Sequence, residues 1–403
     1  ITNSSTNNMS PRLTVAPDNS IIINCSHNDN TVLFQRISSD GDLLWGNGIV
    51  LEDDNKVLIS PQSIIDADGN LIFQWMRQSS GWPISSEIFT QKFNLNGDPI
   101  WTEPSLITGP TFFPMGNWSQ KLLASSNGGA FIAWTELSGN VQNAIVEKIS
   151  GEGTSLWGGG IDLSTNSNNF RISPVITLAE ETHELIAFWR EANSSQSQRG
   201  IFAQRLDISG DQLWGDTGSS VVALNSNYDY LDLSTAEFGE EVISAYIQQS
   251  PNMSGDIFAH RINSEGQSVW IDEMVIITDS GLPKSDMVIT KGFNCLFIAW
   301  SENGSVNAHC LREDGTLGVP DLGSIDCIAE DGTEGVDLWG ICYSIENTTN
   351  INLFYEEIMD TIPAKIGNLI NLSTLTLVGN QLIGDIPSEI GNMVILNKLY
   401  LHH

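Results

Sequence analysis

The feature that most constrains this chain is an internal repeat that recurs at a nearly constant period. Five segments share a pattern of the type AQRxDxxGxxLWG, in which a glycine is followed four residues later by a tryptophan. The spacing between consecutive tryptophans of this pattern varies by no more than one position. A period this regular predicts a repeat architecture in which each copy is one supersecondary unit. The repeated pairs are Gly41/Trp45, Gly97/Trp101, Gly153/Trp157, Gly210/Trp214 and Gly266/Trp270.

Each copy predicts a β-hairpin, because two β-rich runs flank a short turn of Gly, Asp, Asn and Ser residues. We expect the repeated glycine to adopt a positive φ, which costs glycine little. The tryptophan is a large apolar side chain that needs a packed environment. We therefore predict that these tryptophans are mostly buried between units and have a structural role, rather than stacking on a ligand.

Each unit is predicted to contain four strands. An apolar strand that ends in an aromatic residue precedes most of the hairpins, as at Trp75 and Trp134, and a further short strand precedes that one. The middle strands are apolar on both faces, as a sheet covered on both sides requires. Such units resemble the blades of a β-propeller. The AQRxDxxGxxLWG pattern is similar to repeats of secreted and surface-exposed propeller proteins, a family defined more by architecture than by activity.

This resemblance implies an all-β fold with a seven-bladed propeller over residues 1–358. Five copies are well preserved, and the sixth and seventh are degraded. The predicted blades start near residues 10, 57, 115, 171, 228, 284 and 324.

Residues 359–403 have a different pattern. The dipeptide Ile362-Pro363 recurs as Ile386-Pro387, around a run of the type LxxLxLxxNxLxGxIP. The run resembles the leucine-rich repeats of plant-type receptor ectodomains and their protist relatives, which implies a short solenoid. Because a solenoid needs about three repeats, we expect further repeats or another subunit to cover Leu369, Leu372, Leu375, Leu377 and Leu399. The chain is thus expected to be part of a longer protein or an assembly.

Composition excludes some classes of partner. The net charge is -32, with only 17 Lys and Arg residues, which argues against binding to nucleic acid or to anionic membrane surfaces. The sequence has no apolar run of the length that spans a membrane. The expected partners are other proteins, further copies of this chain, or glycans. We expect no cofactor apart from N-linked glycans.

The five cysteines indicate an oxidising compartment, and hence a secreted or cell-surface protein. Cys295 and Cys310 flank one predicted hairpin, and Cys327 and Cys342 flank another, so each pair is expected to form a disulfide. A Cys310–Cys327 pairing and five buried thiols are the alternatives. Cys25 is left without a predicted partner in the chain.

No catalytic or metal site is predicted. The six histidines show no metal-ligand spacing, and no nucleophile or phosphate-binding motif occurs. Propeller glycosidases carry paired carboxylates on their inner strands. Inner-strand acids here occur only in units five to seven, where they indicate an acidic channel mouth or, alternatively, a catalytic dyad. These acids are Asp229, Asp232, Asp286 and Asp326, and the matching positions of units one, two and four hold Arg12, Gln62 and Val175.

We therefore expect a non-catalytic extracellular scaffold, adhesion or assembly protein, such as a structural subunit of a surface coat or filament. The alternative is a glycan-binding or glycan-active propeller similar to glycoside hydrolases. Both interpretations depend partly on the resemblance, because a fold does not determine a function.

Nine N-x-S/T sequons predict N-glycosylation, at Asn3, Asn8, Asn24, Asn117, Asn193, Asn252, Asn303, Asn347 and Asn371. Asn193, Asn252, Asn303 and Asn347 fall in the polar link between two strands at the same point of successive units. We expect these four to carry glycans, and intact-mass measurement of native protein before and after deglycosylation checks this. An unshifted mass would contradict it and would favour a bacterial or cytosolic source.

Overall fold

The structure of the protein is a computed structural model. It describes residues 8–27, 30–81, 84–112, 120–166, 168–179, 182–238, 241–251, 254–292, 295–318, 327–356, 358–359, 361–384, 386–393 and 395–401. The described elements are β-strands and two short 3-10 helices, so the prediction of an all-β fold is confirmed. The chain divides into two compact units, residues 1–319 (unit 1) and 320–403 (unit 2).

Unit 1 contains six four-stranded antiparallel sheets, each formed by four strands that are consecutive in the chain. The first three sheets are sheet 1, with β1 (Asn8–Val15), β2 (Ile21–His27), β3 (Thr31–Ile37) and β4 (Ile49–Glu52); sheet 2, with β5 (Lys56–Ile65), β6 (Leu71–Ser79), β7 (Ser86–Phe93) and β8 (Ser105–Thr111); and sheet 3, with β9 (Lys121–Ala124), β10 (Ala130–Ser138), β11 (Val141–Ile149) and β12 (Ile161–Asp162).

The other three are sheet 4, with β13 (Phe170–Leu178), β14 (Leu185–Ala192), β15 (Arg199–Leu206) and β16 (Ser219–Asn225); sheet 5, with β17 (Asp229–Phe238), β18 (Glu241–Gln249), β19 (Gly255–Ile262) and β20 (Val275–Thr278); and sheet 6, with β21 (Lys284–Lys291), β22 (Leu296–Glu302), β23 (Ser305–Leu311) and β24 (Leu317–Gly318). The first strands begin within six residues of the sequence-predicted starts.

Consecutive sheets pack face to face. Each hydrophobic cluster of unit 1 combines residues of two successive sheets, from sheets 1 and 2 through to sheets 5 and 6. The middle strands are therefore buried on both faces, as in β10, where Phe131, Ile132 and Trp134 are all at most 3% exposed. This explains the absence of polar alternation in those strands.

The first strands of the six sheets lie side by side around a common axis. Each first strand contacts the first strand of the next sheet, from β1 through to β21. Residues of β1, β9, β13, β17 and β21 line one shared cavity. Since β1 and β21 belong to the first and last of these sheets, the sheets must be arranged radially, as propeller blades are.

The repeated tryptophan of each sheet lies on the turn of the next sheet. The indole of Trp101 covers Gly153, where an added Cβ would meet the ring at 3.0 Å. Its Nε1–H donates to the carbonyl of Gly151, at 2.9 Å. The same contact, with an indole donating to the carbonyl two residues before the next repeat glycine, links Trp45 to Leu95, Trp157 to Ile208, Trp214 to Ser264 and Trp270 to Glu313.

The QR dipeptide of the repeat supports this contact. The side chain of Gln204 accepts the backbone N–H of Trp214 and donates to the carbonyl of Gly215, which fixes the loop that carries the tryptophan. Arg205 donates to the carbonyl of Ser264, the acceptor that Trp214 also uses. Arg36, Lys148 and Arg261 act in the same way on Leu95, Ile208 and Glu313.

The burial of these tryptophans is smaller than the sequence predicted. Trp101 is 7% exposed, whereas Trp45, Trp157, Trp214 and Trp270 are only half-buried. The physical reason is that these four indoles lie on the turns at the edge of the sheet interfaces, where they pack against the outside of the apolar clusters. Their contacts between sheets nevertheless agree with the predicted structural role between units.

Unit 2 combines two small sheets. β25 (Cys327–Ile328), β26 (Glu334–Leu338) and β27 (Ile341–Ser344) form an antiparallel sheet, and β28 (Asn350–Asn352), β29 (Thr374–Thr376) and β30 (Lys398–Tyr400) form a parallel one. The parallel strands pair Asn350 with Thr374 and Thr374 with Lys398, so the two coils of chain between them are equal in length. The 3-10 helices, Ala364–Asn368 and Ser388–Asn392, repeat at the same interval.

The region predicted as the seventh blade differs from the prediction. Among the described residues, β25–β27 form a three-stranded sheet, and Val336 and Leu338 of β26 share a core with Ile351 and the leucines of the parallel coils. The division of the chain therefore falls after residue 319 and not after residue 358. Unit 2 thus covers most of its own leucines: Leu369, Leu372, Leu375 and Leu377 are at most 1% exposed, and Leu399 is 38% exposed.

Two disulfides are present, Cys295–Cys310 and Cys327–Cys342, as the sequence predicted. Cys25 is buried and lies outside these two disulfides, and burial raises its pKa. The described part of the chain has no helix that is long and apolar enough to cross a membrane.

The contact between tryptophan and glycine can be isolated with a matched pair of variants. Gly153 and Gly41 occupy the same turn position with φ values of 82° and 89°, but only Gly153 lies under a tryptophan. An alanine imposes similar backbone strain at both, so Gly153→Ala should cost about 1–3 kcal/mol more than Gly41→Ala because it overpacks the Trp101 interface. Urea denaturation of both variants measures this difference, and equal losses of stability would contradict a packing role for Trp101.

Candidate functional site

The first strands of unit 1 share an irregularity that shapes the axis. In β1, β5, β13, β17 and β21 the pairing register shifts at the same point of the strand. At this bulge Ser60, Ser173, Asp232 and Asp286 have positive φ values of 53°, 54°, 49° and 57°. A non-glycine residue in this conformation is strained, and such residues cluster at functional sites. Bulges of this kind change the direction of side chains.

The bulges border a cavity of about 460 Å³ at the axis, which we call the axial cavity. This volume is within the range of small-molecule sites. Its lining combines three cationic side chains, two carboxylates, two hydroxyls and five apolar side chains. The lining residues are Arg12, Lys121, Ser173, Val175, Arg190, Leu231, Asp232, Leu233, Ser234, Asp286, Met287 and Val288.

One register position supplies much of this lining. Arg12, Lys121, Val175, Ser234 and Val288 each pair with the residue that precedes the aromatic position of the neighbouring strand, or Cys25 in sheet 1. At the same register in sheet 2, Gln62 donates to the carbonyl of Gln120, at 2.8 Å. The position is thus structurally equivalent in six sheets but varies chemically, from Arg12 and Lys121 to Gln62, Ser234 and the valines of sheets 4 and 6.

Arg190 enters the axial cavity from β14. Its Nη1 donates to the carbonyl of Tyr230 at 2.6 Å, and its Nη2 donates to Ser173 Oγ at 3.3 Å. Its Nε is buried without a hydrogen-bond partner among the described residues. Burial lowers the pKa of Arg190, against the opposing effect of Asp229 and Asp232.

The charges of the axial cavity are segregated. The cations come from sheets 1, 3 and 4, and the carboxylates come from sheets 5 and 6. Asp232 Oδ2 accepts the backbone N–H of Met287 at 3.1 Å, and Asp286 Oδ2 accepts the hydroxyl of Ser285 at 2.6 Å. Burial lowers the pKa of Lys121, as does the neighbouring guanidinium of Arg12, while Asp232 acts in the opposite direction.

The structure separates the four acids that the sequence grouped. Asp232 and Asp286 share the axial cavity. Asp229 lies beside a smaller cavity of about 200 Å³, where it pairs with Arg199 at 3.4 Å. Asp326 lies outside the described residues.

Sequence reasoning missed Lys121 and Arg190, although Arg190 follows Trp189 at a point where other copies have Met76, Thr135, Ile247 and Ser301.

The predicted glycosylation sites differ in accessibility. Asn24 is fully buried and its Nδ2 donates to Ser63, so this sequon is not a glycan acceptor in the folded protein and its prediction was wrong. Asn303 is exposed in its turn, whereas the side-chain amides of Asn193, Asn347 and Asn371 hydrogen-bond to their own surroundings. Asn3, Asn117, Asn252 and the side chain of Asn8 lie outside the description.

The described residues contain no group of three or more potential metal ligands. His260, which occupies the glutamine position of the repeat, lies 2.8 Å from the hydroxyl of Tyr246 and stacks on its ring. Burial lowers the pKa of His260 to about 4. The packing of His260 against Tyr246 indicates a structural role for this histidine.

No protein-family model and no curated protein matches this chain. Solved structures with a similar fold include the alpha-L-arabinanase of Penicillium chrysogenum complexed with arabinobiose, at 12% identity and a TM-score of 0.41, covering 75% of this chain and 92% of that one. A thermostable family-43 glycoside hydrolase has 10% identity and a TM-score of 0.35, covering 69% and 95%. A polysaccharide lyase has 9% identity and a TM-score of 0.43, covering 73% and 79%.

These comparisons correct the expected function. The sequence predicted a non-catalytic scaffold, adhesion or filament protein, whereas the three similar structures named above, two glycoside hydrolases and a polysaccharide lyase, are enzymes. At these identities the likeness concerns the fold, so the functional argument has to rest on the axial cavity itself.

The cationic side of the axial cavity should reduce the stability of the fold. Because the folded state lowers the pKa of Lys121, the unfolded chain binds more protons between the folded and unfolded pKa values, and wild-type stability rises with pH across that window. Lys121→Met should therefore raise the melting temperature at neutral pH, with a gain that shrinks as pH approaches about 10.4, the usual lysine pKa.

Melting curves across this pH range, with Lys56→Met as the control, measure the effect. Lys56 is a half-buried lysine of β5 that is not among the lining residues of the axial cavity. A pH-independent change for Lys121→Met, or the same profile for both variants, would contradict the expectation.

Proposed function

We propose that this protein is a glycan-active β-propeller that binds a glycan in the axial cavity and hydrolyses it. The observation that carries the proposal is the convergence of charged side chains from different first strands on one cavity of about 460 Å³. A set of structural repeats has no need of different charged residues at equivalent positions. Polar groups that converge among apolar side chains are the usual composition of a ligand site.

Asp232 and Asp286 are the proposed catalytic carboxylates. Both line the axial cavity on the left-handed residue of a bulge, in the adjacent sheets 5 and 6. Glycoside hydrolysis uses two carboxyl groups that flank the scissile bond. One protonates the departing glycosidic oxygen, and the other removes a proton from the attacking water or attacks the anomeric carbon itself. Water is consumed and the carboxyl groups are regenerated.

The finer architecture also belongs to this proposal. The equal parallel coils of unit 2 support a leucine-rich repeat segment. Asn380 supports it further: its side chain donates to the carbonyls of Leu353 and Leu377 and accepts the N–H of Ile358, as an asparagine between successive coils can. The two disulfides support an extracellular location, where glycans are available.

Asp286→Asn tests the catalytic role without disturbing the backbone. Asparagine tolerates the left-handed conformation of residue 286 and retains an oxygen that can accept the hydroxyl of Ser285, so the variant should melt as the wild type does. With a polysaccharide that the wild type depolymerises, release of reducing ends should fall at least about 100-fold, the lower end of general acid–base catalysis.

The control is Asp40→Asn, the same change at an exposed acid in the turn of sheet 1. This variant should retain full activity. The proposal is wrong if a broad panel of neutral and acidic polysaccharides is neither bound nor cleaved, or if Asp286→Asn and Asp232→Asn both cleave at the wild-type rate.

A further inference from the structure

We infer that the glycan held in the axial cavity is acidic, with a carboxylate or sulfate group held between Arg12, Lys121 and Arg190. The inference rests on the proposed function and names the class of ligand for the same site. It concerns the cationic wall of the axial cavity, which hydrolysis by itself does not require.

These three cations differ from most basic residues of the chain in their partners. Ion pairs join Arg36 to Asp18, Lys92 to Asp66 and Lys284 to Glu302, among others. No described carboxylate forms an ion pair with Arg12, Lys121 or Arg190. A chain with 49 acidic and 17 basic residues could pair them easily. Asp229 and Asp232 offset Lys121 and Arg190 only from beyond ion-pair distance, so three cations without an ion pair meet in one cavity and suit an anionic partner that is not part of the chain.

The arrangement is unfavourable without such a partner. Arg12 and Lys121 occupy the same register of sheets 1 and 3, and both face the axis. Like charges at the same site raise the free energy of the folded protein, and the burial of Lys121 adds a desolvation cost. An anion between them reverses the sign of this interaction. Carboxylate and sulfate are suitable, because guanidinium groups bind planar or multidentate oxyanions through several hydrogen bonds.

The opposite wall indicates the rest of the ligand. The carboxylates of Asp232 and Asp286 face the cavity from sheets 5 and 6, where they act as hydrogen-bond acceptors. Sugar hydroxyls are matching donors. A molecule that presents an anion to one wall and hydroxyls to the other is an acidic sugar, whereas a neutral glycan would leave the cationic wall with only the partial compensation of Asp229 and Asp232.

Calorimetric titration of the whole chain tests this. The probes are oligosaccharides of galacturonate and of glucuronate, the methyl esters of both, and a sulfated galactan oligosaccharide with its unsulfated counterpart. We expect an acidic probe to bind, its neutral counterpart to bind at least about tenfold more weakly, and the affinity to fall with added salt. Preference for the uronates or for the sulfated probe identifies the source of the anion.

Variants assign the contacts. Arg12→Gln and Lys121→Gln should each weaken binding of the acidic probe about tenfold, while Arg312→Gln, which removes one exposed cation after β23, should leave it unchanged. Equal binding of an acidic probe and its neutral form overturns the inference and leaves the proposed glycan site intact. Binding of neutral probes alone also overturns the inference of an acidic ligand. In that case the proposed glycan site stands, and Asp286→Asn still tests catalysis. If no probe of either kind binds or is cleaved, both proposals fail.

Discussion

The backbone carbonyl two residues before each repeat glycine holds successive sheets of unit 1 together. An unsatisfied carbonyl at an interface is costly, and here an indole N–H from the preceding sheet is the donor in all five copies. In four copies a basic side chain of the same sheet donates to the same oxygen. These bonds have direction, unlike the apolar contacts of the interfaces. They fix how one sheet sits on the next, and the shape of the axial cavity depends on that.

Much of unit 1 could be predicted from the sequence, because each sheet is a local structure. The turn glycine, the tryptophan and the doubly apolar middle strand all lie within one repeat, and each disulfide likewise joins cysteines that are close in the chain. The seventh blade was mispredicted for the opposite reason. Residues after Gly332 have the local pattern of a blade. However, Asn350 pairs with Thr374, which is distant in the chain, and this pairing makes the segment part of unit 2. The acids Asp232 and Asp286 could be placed on inner strands from the sequence, but Lys121 and Arg190 were missed because they join them only when the sheets surround an axis.

Several residues of the axial cavity lower the stability of the folded protein. Asp232 and Asp286 hold left-handed backbone conformations, and Arg12 lies close enough to Lys121 to affect its charge. Left-handed non-glycine residues also occur elsewhere in the described chain, as at Gln196, Glu273 and Trp339, but most buried cations there lie beside carboxylates. The axial cavity combines left-handed residues with cations that have no ion pair, as is expected where selection acts on a ligand rather than on stability.

The hydrogen bonds between tryptophan and carbonyl also have a direction along the chain. Trp45 donates to a residue 50 positions later, and every other repeat tryptophan likewise donates forward, never backward. During synthesis at about 5–20 residues per second, each new sheet therefore waits roughly 3–10 seconds for its acceptor to emerge. The hydrogen bonds between sheets therefore form one after another during translation. A pause in translation would leave only the most recently synthesised tryptophan without its carbonyl acceptor.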